Sequence, residues 1–138
     1  MSSRIIKKYL RTLVTPRPWL GGHSLCPFVE DIIDDIPIVE YTDEAVHTIC
    51  SMSSPLKVKA SVIYCIGKSD IWLDNKAQEL EDEYPEIAVL WHHPAHPRYI
   101  KEHKMPSPGI PILIIQDKEE LRKAKAQLKE SGYYSYWK

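Results

Sequence analysis

Hydrophobic residues near the start of the chain recur with the spacing of a helix. Ile6, Tyr9, Leu10 and Leu13 stand at i, i+3, i+4 and i+7, so all four fall on one helical face. Prolines follow within the next five positions, and proline cannot continue a helix. The sequence therefore begins with a short predicted amphipathic helix.

Four later segments have the composition and length of β-strands. They are rich in β-branched residues and contain either alternating or continuous apolar positions. Continuous apolar runs are typical of strands that are buried on both faces. The approximate bounds of the four predicted strands are 36–42, 58–66, 87–91 and 112–115.

Helical spacing separates these strands. One helix is predicted to begin at Thr42 or Asp43, and a second at Ser69, a candidate N-cap. A third follows Asp117, whose spacing from Glu120 resembles a capping box. Strands that alternate with helices predict an α/β layer structure.

The predicted fold class is therefore α/β, with an about four-stranded sheet packed by helices in a single small domain over residues 1–138. A composition of 43% hydrophobic and 27% charged residues agrees with one globular domain. The segment 133–138 forms an aromatic C-terminal tail, which we expect to dock on the body or on a partner. The pattern does not determine the order of the strands.

The charge balance argues against two classes of partner. Lys and Arg number 18 against 19 Asp and Glu, so no excess positive charge is available for nucleic acid or an anionic membrane. No apolar run approaches the roughly 20 residues that span a bilayer. Three cysteines without metal-ribbon spacing agree with a reducing compartment, and we expect a cytoplasmic protein.

Cys26 is the first candidate for chemistry. It precedes Pro27, and because proline suits the first helical position, a helix is predicted to start here. Backbone N–H groups at such a start lower the pKa of a thiol, which suits a nucleophile or a metal ligand. A free cysteine is equally often a small buried hydrophobe. Cys50 and Cys65 stand among apolar residues, and we expect both in the core.

Four of the six histidines follow the third predicted strand within a short stretch, at positions 92, 93, 96 and 103. Neutral imidazole is a common metal ligand and the usual acid or base near neutral pH. Adjacent His92 and His93 point to opposite sides if the strand continues, so at most one of them faces a given pocket and the other is expected to be exposed. His93 leaves the carboxyl end of a strand, where sites in open α/β sheets form. A solvated loop without function is the alternative.

Two forms of a shared site follow from these residues. The candidate metal ligands are His23, Cys26, His93 and His96, and such a thiolate–imidazole set would bind Zn or Fe. Without metal, His93 would hold Cys26 as a nucleophilic thiolate, so Cys26 and His93 are the candidate catalytic pair. No phosphate-binding loop, nucleophile elbow or dinucleotide fingerprint is present, and no residue is assigned to an organic cofactor.

Three short segments carry a resemblance to a family. They are Leu25 to Phe28, His93 with Pro94, and Ser107 to Pro111 before a hydrophobic strand. The chain resembles, from about Arg4 to Leu128, a family of small bacterial proteins of unknown function that is marked by L-C-P-F, F-H-P and S-P-x-P segments.

The chain departs from that pattern at several positions. His92 stands where the family has an aromatic residue, the proline spacing after Ser107 differs by one residue, and neither Gln116 nor Asp117 supplies the arginine that commonly follows the last strand. The resemblance implies roles for Cys26 and His93 as the matching polar residues, but no substrate.

Two functions from different classes follow. The first is a small enzyme or metalloprotein that uses Cys26 and His93. The alternative is an accessory protein without enzymatic activity, which docks on a protein partner or a second copy of itself through the aromatic tail and the proline-rich loop.

Overall fold

Four helices and six strands form in the part of the chain that this computed structural model describes. The described residues are 2–13, 36–53, 60–96, 99–100, 102–105 and 109–130. The helices in these ranges are α1 (Ser2–Leu13), α2 (Asp43–Ser53), α3 (Asp70–Glu83) and α4 (Lys118–Glu130). The strands are β1 (Ile38–Glu40), β2 (Ala60–Tyr64), β3 (Ile87–His92), β4 (Tyr99–Ile100), β5 (His103–Lys104) and β6 (Ile112–Asp117).

One four-stranded sheet has the order β1-β2-β6-β3. β1 and β2 are parallel, whereas β6 runs antiparallel to both β2 and β3. The last strand is thus inserted between two strands that precede it in sequence. The predicted α/β class, with a four-stranded sheet packed by helices, is confirmed, and β4 and β5 form a small separate hairpin that the pattern did not predict.

Side-chain hydrogen bonds begin the helices as the sequence predicts. The Ser69 hydroxyl accepts a hydrogen bond from the Trp72 amide at 3.1 Å, and the Asp117 carboxylate accepts one from the Glu120 amide at 2.9 Å. Thr42 caps α2 in the same way. These bonds satisfy amides that have no partner inside a helix.

An apolar cluster fills the space between the sheet and the pair α2 and α3. Cys50 and Cys65 belong to this core cluster, as predicted, and both are almost fully buried. The fully or nearly buried residues of the core cluster are Val46, Cys50, Ile63, Cys65, Leu73, Ala77, Leu80, Ile87, Val89, Leu113 and Ile115.

Helix α1 contacts the opposite face of the sheet. Trp91 packs against the core cluster, so the next residue of β3, His92, points to the other face. There its ring stacks on Tyr9 of α1 with 6.1 Å between ring centroids, and only 7% of His92 is exposed. β3 continues to His92, which pairs with Ile112. The prediction that one of the two adjacent histidines is exposed is wrong, because α1 covers the face of the sheet that His92 meets and His93 is itself partly buried.

Register brings the ends of four strands into one row. Glu40 pairs with Tyr64, Tyr64 pairs with Ile112, and Ile112 pairs with His92. The row therefore contains the carboxyl ends of β1, β2 and β3 and the amino end of β6. We call this side of the sheet the carboxyl edge.

Several predicted features lie outside the described residues. They are the helix start at Cys26 with the preceding His23, the proline-rich segment 106–108 and the aromatic tail 133–138. Each stays a prediction. None of the helices in the described ranges combines the length and the hydrophobicity that a transmembrane span requires.

Candidate functional site

Two loops meet at the carboxyl edge. The turn after β2 leads from Cys65 to the N-cap Ser69, and the loop after β3 begins at His93. Both strands end in the same row because β6 pairs with each of them. The first turn of α3 therefore lies beside the histidine loop, as expected for sites in open α/β sheets.

His93 connects these two loops through both of its ring nitrogens. Nε2 lies 3.1 Å from the Lys68 carbonyl oxygen, and the Ala95 amide donates to Nδ1 at 3.0 Å. A carbonyl oxygen only accepts and an amide N–H only donates. His93 is therefore a neutral imidazole with its proton on Nε2.

This bonding leaves His93 little freedom for chemistry. A metal ion or a substrate proton would have to displace one of two backbone hydrogen bonds, and His93 is partly buried. The arrangement is that of a side chain that holds a loop in place. The turn is closed further by a bond of 2.9 Å from the His96 amide to the His93 carbonyl oxygen.

His96 has a different environment. Its Nε2 contacts the Asp70 carboxylate in the first turn of α3, while 53% of the His96 side chain is exposed. Since a carboxylate accepts, the shared proton stands on Nε2, and Nδ1 is directed away from Asp70. Between them, Asp70 and His96 form an acid–base dyad, and we call Asp70, His93 and His96 the histidine site.

Aromatic and imidazole rings support the dyad on one side. The His96 ring lies edge-on to Trp91 at 6.0 Å and to His93 at 6.4 Å between centroids. The Trp91 indole N–H in turn donates to the Asp74 carboxylate at 3.2 Å. Asp70 and Asp74 are one turn apart on α3, so this helix contacts the end of β3 and its loop through two successive carboxylates.

The Asp70 carboxylate is stabilised in its charged form. The backbone amide of Ile71, followed by the His96 ring, holds the pKa of the Asp70 carboxyl below its usual value, although partial desolvation opposes this. The positive end of the α3 dipole acts in the same direction. Asp70 therefore remains an anion at neutral pH and keeps the His96 proton on Nε2.

The dyad can accept or donate a proton at Nδ1 of His96. A fixed carboxylate orients the imidazole and stabilises the imidazolium that forms when Nδ1 takes up a proton. Among the described residues, no group of three His, Cys, Asp or Glu side chains is arranged to hold a metal ion. Proton transfer is the chemistry that this arrangement supports directly.

The structure places only part of the predicted site. His93 and His96 lie close together, whereas Cys26 and His23 fall outside the described ranges, so the pairing of Cys26 with His93 stays a prediction. The other two thiols are unsuited to be nucleophiles. Burial raises the pKa of Cys50 to about 11 and that of Cys65 to about 12.

Sequence reasoning missed Asp70. It stands directly after the N-cap Ser69, where an acidic residue is already explained by the helix dipole. A signal was present nonetheless, because Asp70 follows the carboxyl end of one strand and His96 follows that of another. Residues in such positions meet whenever the two strands end in the same row.

Comparison of the chain with family models, with curated proteins and with solved structures found no match. The fold and the histidine site define the protein as a small α/β domain with an Asp–His dyad at the carboxyl edge of its sheet.

Proposed function

We propose that the protein is a small cysteine/histidine enzyme in which the dyad of His96 and Asp70 transfers protons and Cys26 is the nucleophile. The observation that carries this proposal is the contrast between the two loop histidines. His96 is exposed and directs one nitrogen away from its carboxylate partner, whereas both nitrogens of His93 are bonded to backbone.

The assignment changes the role of His93. A general base needs a lone pair that can reach its substrate. The lone pair of His93 already accepts a hydrogen bond from the Ala95 amide. His93 is therefore a positioning residue in this proposal, since its two bonds fix the loop that presents His96. His96 takes the catalytic role that the sequence pattern favoured for His93.

Cys26 completes the proposed site through its chemistry. A thiol beside a carboxylate-oriented imidazole loses its proton to the ring, and the resulting thiolate is a strong nucleophile at neutral pH. The imidazolium then protonates the leaving group. Thiol-dependent acyl transfer or hydrolysis is the reaction class that such a pair performs.

The pH dependence of Cys26 alkylation tests this proposal without a known substrate. The rate with iodoacetamide is measured between about pH 5 and pH 9 for the wild type, His96→Gln and Asp70→Asn, with Cys26→Ala to identify the labelled thiol. We expect rapid labelling of the wild type below neutral pH and a loss of that reactivity in both variants. An ordinary thiol profile that is identical in wild type and His96→Gln would disprove the pairing.

His93→Gln provides a matched comparison. If His93 only positions the loop, its variant should retain part of the low-pH reactivity. A complete loss in His93→Gln combined with a normal His96→Gln would instead return the catalytic role to His93.

The metal form of the site makes a separate prediction. In the metal form, one ring nitrogen of His93 would have to give up its backbone hydrogen bond in order to bind the metal ion. Cys26 and His23 would also have to approach the histidine site. Elemental analysis of untagged protein distinguishes this form. Stoichiometric Zn or Fe that is lost in Cys26→Ala and in His96→Ala would support it over the metal-free thiolate.

A further inference from the structure

A second cluster lies at the carboxyl edge, between the loop after β1 and the start of α3. Tyr41 and Trp72 meet edge to face, with 4.9 Å between centroids and an interplanar angle of 87°. The Lys68 ammonium lies 4.8 Å from the Trp72 ring centre and 5.8 Å from that of Tyr41. Two aromatic rings therefore hold one ammonium group by cation–π contact.

The neighbouring charges do not neutralise Lys68 directly. Lys76, whose side chain is only 12% exposed, lies near Tyr41 and pairs with Glu79 at 3.5 Å. The Asp43 carboxylate accepts a hydrogen bond from the Tyr41 hydroxyl. The electrostatic interaction of Asp43 with Lys76 is stronger than that with Lys68. Within the described part of the chain, Lys68 has no carboxylate at ion-pair distance.

Two backbone amides in the first turn of α3 already have partners. The Ser69 hydroxyl accepts a hydrogen bond from the Trp72 amide, and the Asp70 carboxylate accepts one from the Ile71 amide. The Lys68 ammonium is the charged donor that an anion would meet here. The two rings restrict the rotamers of Lys68 and shield part of it from water, which lowers the cost of ordering it around a ligand.

We propose that Lys68 binds the oxyanion of a small molecule, a phosphate or a carboxylate group, at the carboxyl ends of β1 and β2. The ring faces contact one side of the ammonium, and the N–H groups on the other side donate to the oxyanion. Ligands of open α/β sheets bind beyond the same ends of the strands. This site does not depend on the catalytic role proposed for His96.

Titration of the full chain with inorganic phosphate, and separately with acetate, tests the site at constant ionic strength. The indole N–H signal of Trp72, assigned with Trp72→Phe, reports binding next to Lys68. We expect a saturable shift in the wild type and affinity weaker by at least about tenfold in Lys68→Met, since one charge-assisted hydrogen bond is lost. Lys68→Arg should retain binding.

Lys125→Met is the matched control, because Lys125 is exposed on α4, whereas the cluster is formed by Tyr41, Lys68 and Trp72. It should bind like the wild type. Tighter binding of phosphate would identify a phosphate-bearing ligand, and tighter binding of acetate a carboxylate. A wild type without a saturable shift, or a Lys68→Met variant with unchanged affinity and an intact circular dichroism spectrum, would overturn the proposal.

Discussion

The core cluster contains two thiols and no charged side chain, whereas the histidine site, just beyond the ends of β2 and β3, contains a carboxylate and two imidazoles. Protonation in the core cluster is controlled by desolvation, which keeps Cys50 and Cys65 neutral. Protonation at the histidine site is controlled by specific hydrogen bonds, which place a proton on Nε2 of each ring. Burial makes the first region inert, and directed bonding prepares the second for proton transfer.

The largest expected effect is on packing in the core cluster. Leu80→Ala should lower the free energy of unfolding by about 2–5 kcal/mol, because Leu80 is fully buried and alanine leaves a cavity without disturbing the helix. Ile71→Ala in the same helix is the control, since Ile71 is exposed, and we expect a change within about 0.5 kcal/mol. Urea denaturation measures both, and equal losses would show that the core cluster is less well packed than described.

The thiols of the core cluster should resist alkylation. Because burial raises the pKa of Cys50 to about 11 from an ordinary value of 9.0, its thiolate is about a hundredfold scarcer at a given pH, and that of Cys65 is scarcer still. Mass spectrometry after iodoacetamide treatment at about pH 8 should find native protein labelled at Cys26 and urea-unfolded protein labelled at all three thiols. Rapid native labelling of Cys65 would contradict this account.

The same shifts predict how stability depends on alkaline pH. The folded-state pKa of each thiol lies above its unfolded value, so the protonated thiols stabilise the fold fully below about pH 9. This contribution is lost as the pH rises through about 11 and 12. Thermal unfolding of the wild type and of Cys65→Ser at increasing pH measures the loss, which should be smaller in the variant.

At the histidine site, the two imidazoles should differ in their importance for stability. His93→Ala removes two hydrogen bonds to backbone and should cost about 1–3 kcal/mol, whereas His96→Ala removes one exposed bond and should cost about 0.5 kcal/mol. Hydrogen exchange of the Ala95 amide should accelerate only in His93→Ala. Equal costs and equal exchange would show that His93 does not hold the loop.

The smallest effect on stability is expected from Asp70→Asn, which retains the shape of the side chain at a partly exposed position. The change should instead appear in the tautomers of His96. Nitrogen chemical shifts should show the Nε2–H form in the wild type and a mixture in the variant, because an amide can donate as well as accept. The tautomer of His93 is the internal control and should not change.

Much of the fold could be predicted because its signals are local. The helical spacing of Leu73, Ala77 and Leu80 and the cap at Ser69 lie within one segment, and each is confirmed. The burial of Cys50 and Cys65 follows from apolar neighbours along the chain. The burial of His92 was not predicted, since tertiary packing brings α1 onto the face of the sheet that His92 meets.

Periodicity and capping depend on neighbouring residues, so they were enough to predict the α/β class, the approximate bounds of the helices and strands, and the location of His93 and His96 just after a strand. Only the tertiary structure decided the strand order, and with it the partners of the histidines. Lys68 meets His93, and Asp70 meets His96, across 25 and 26 positions of sequence. Those contacts exist because β6 pairs with β2 and β3 together, a long-range arrangement that no local pattern encodes.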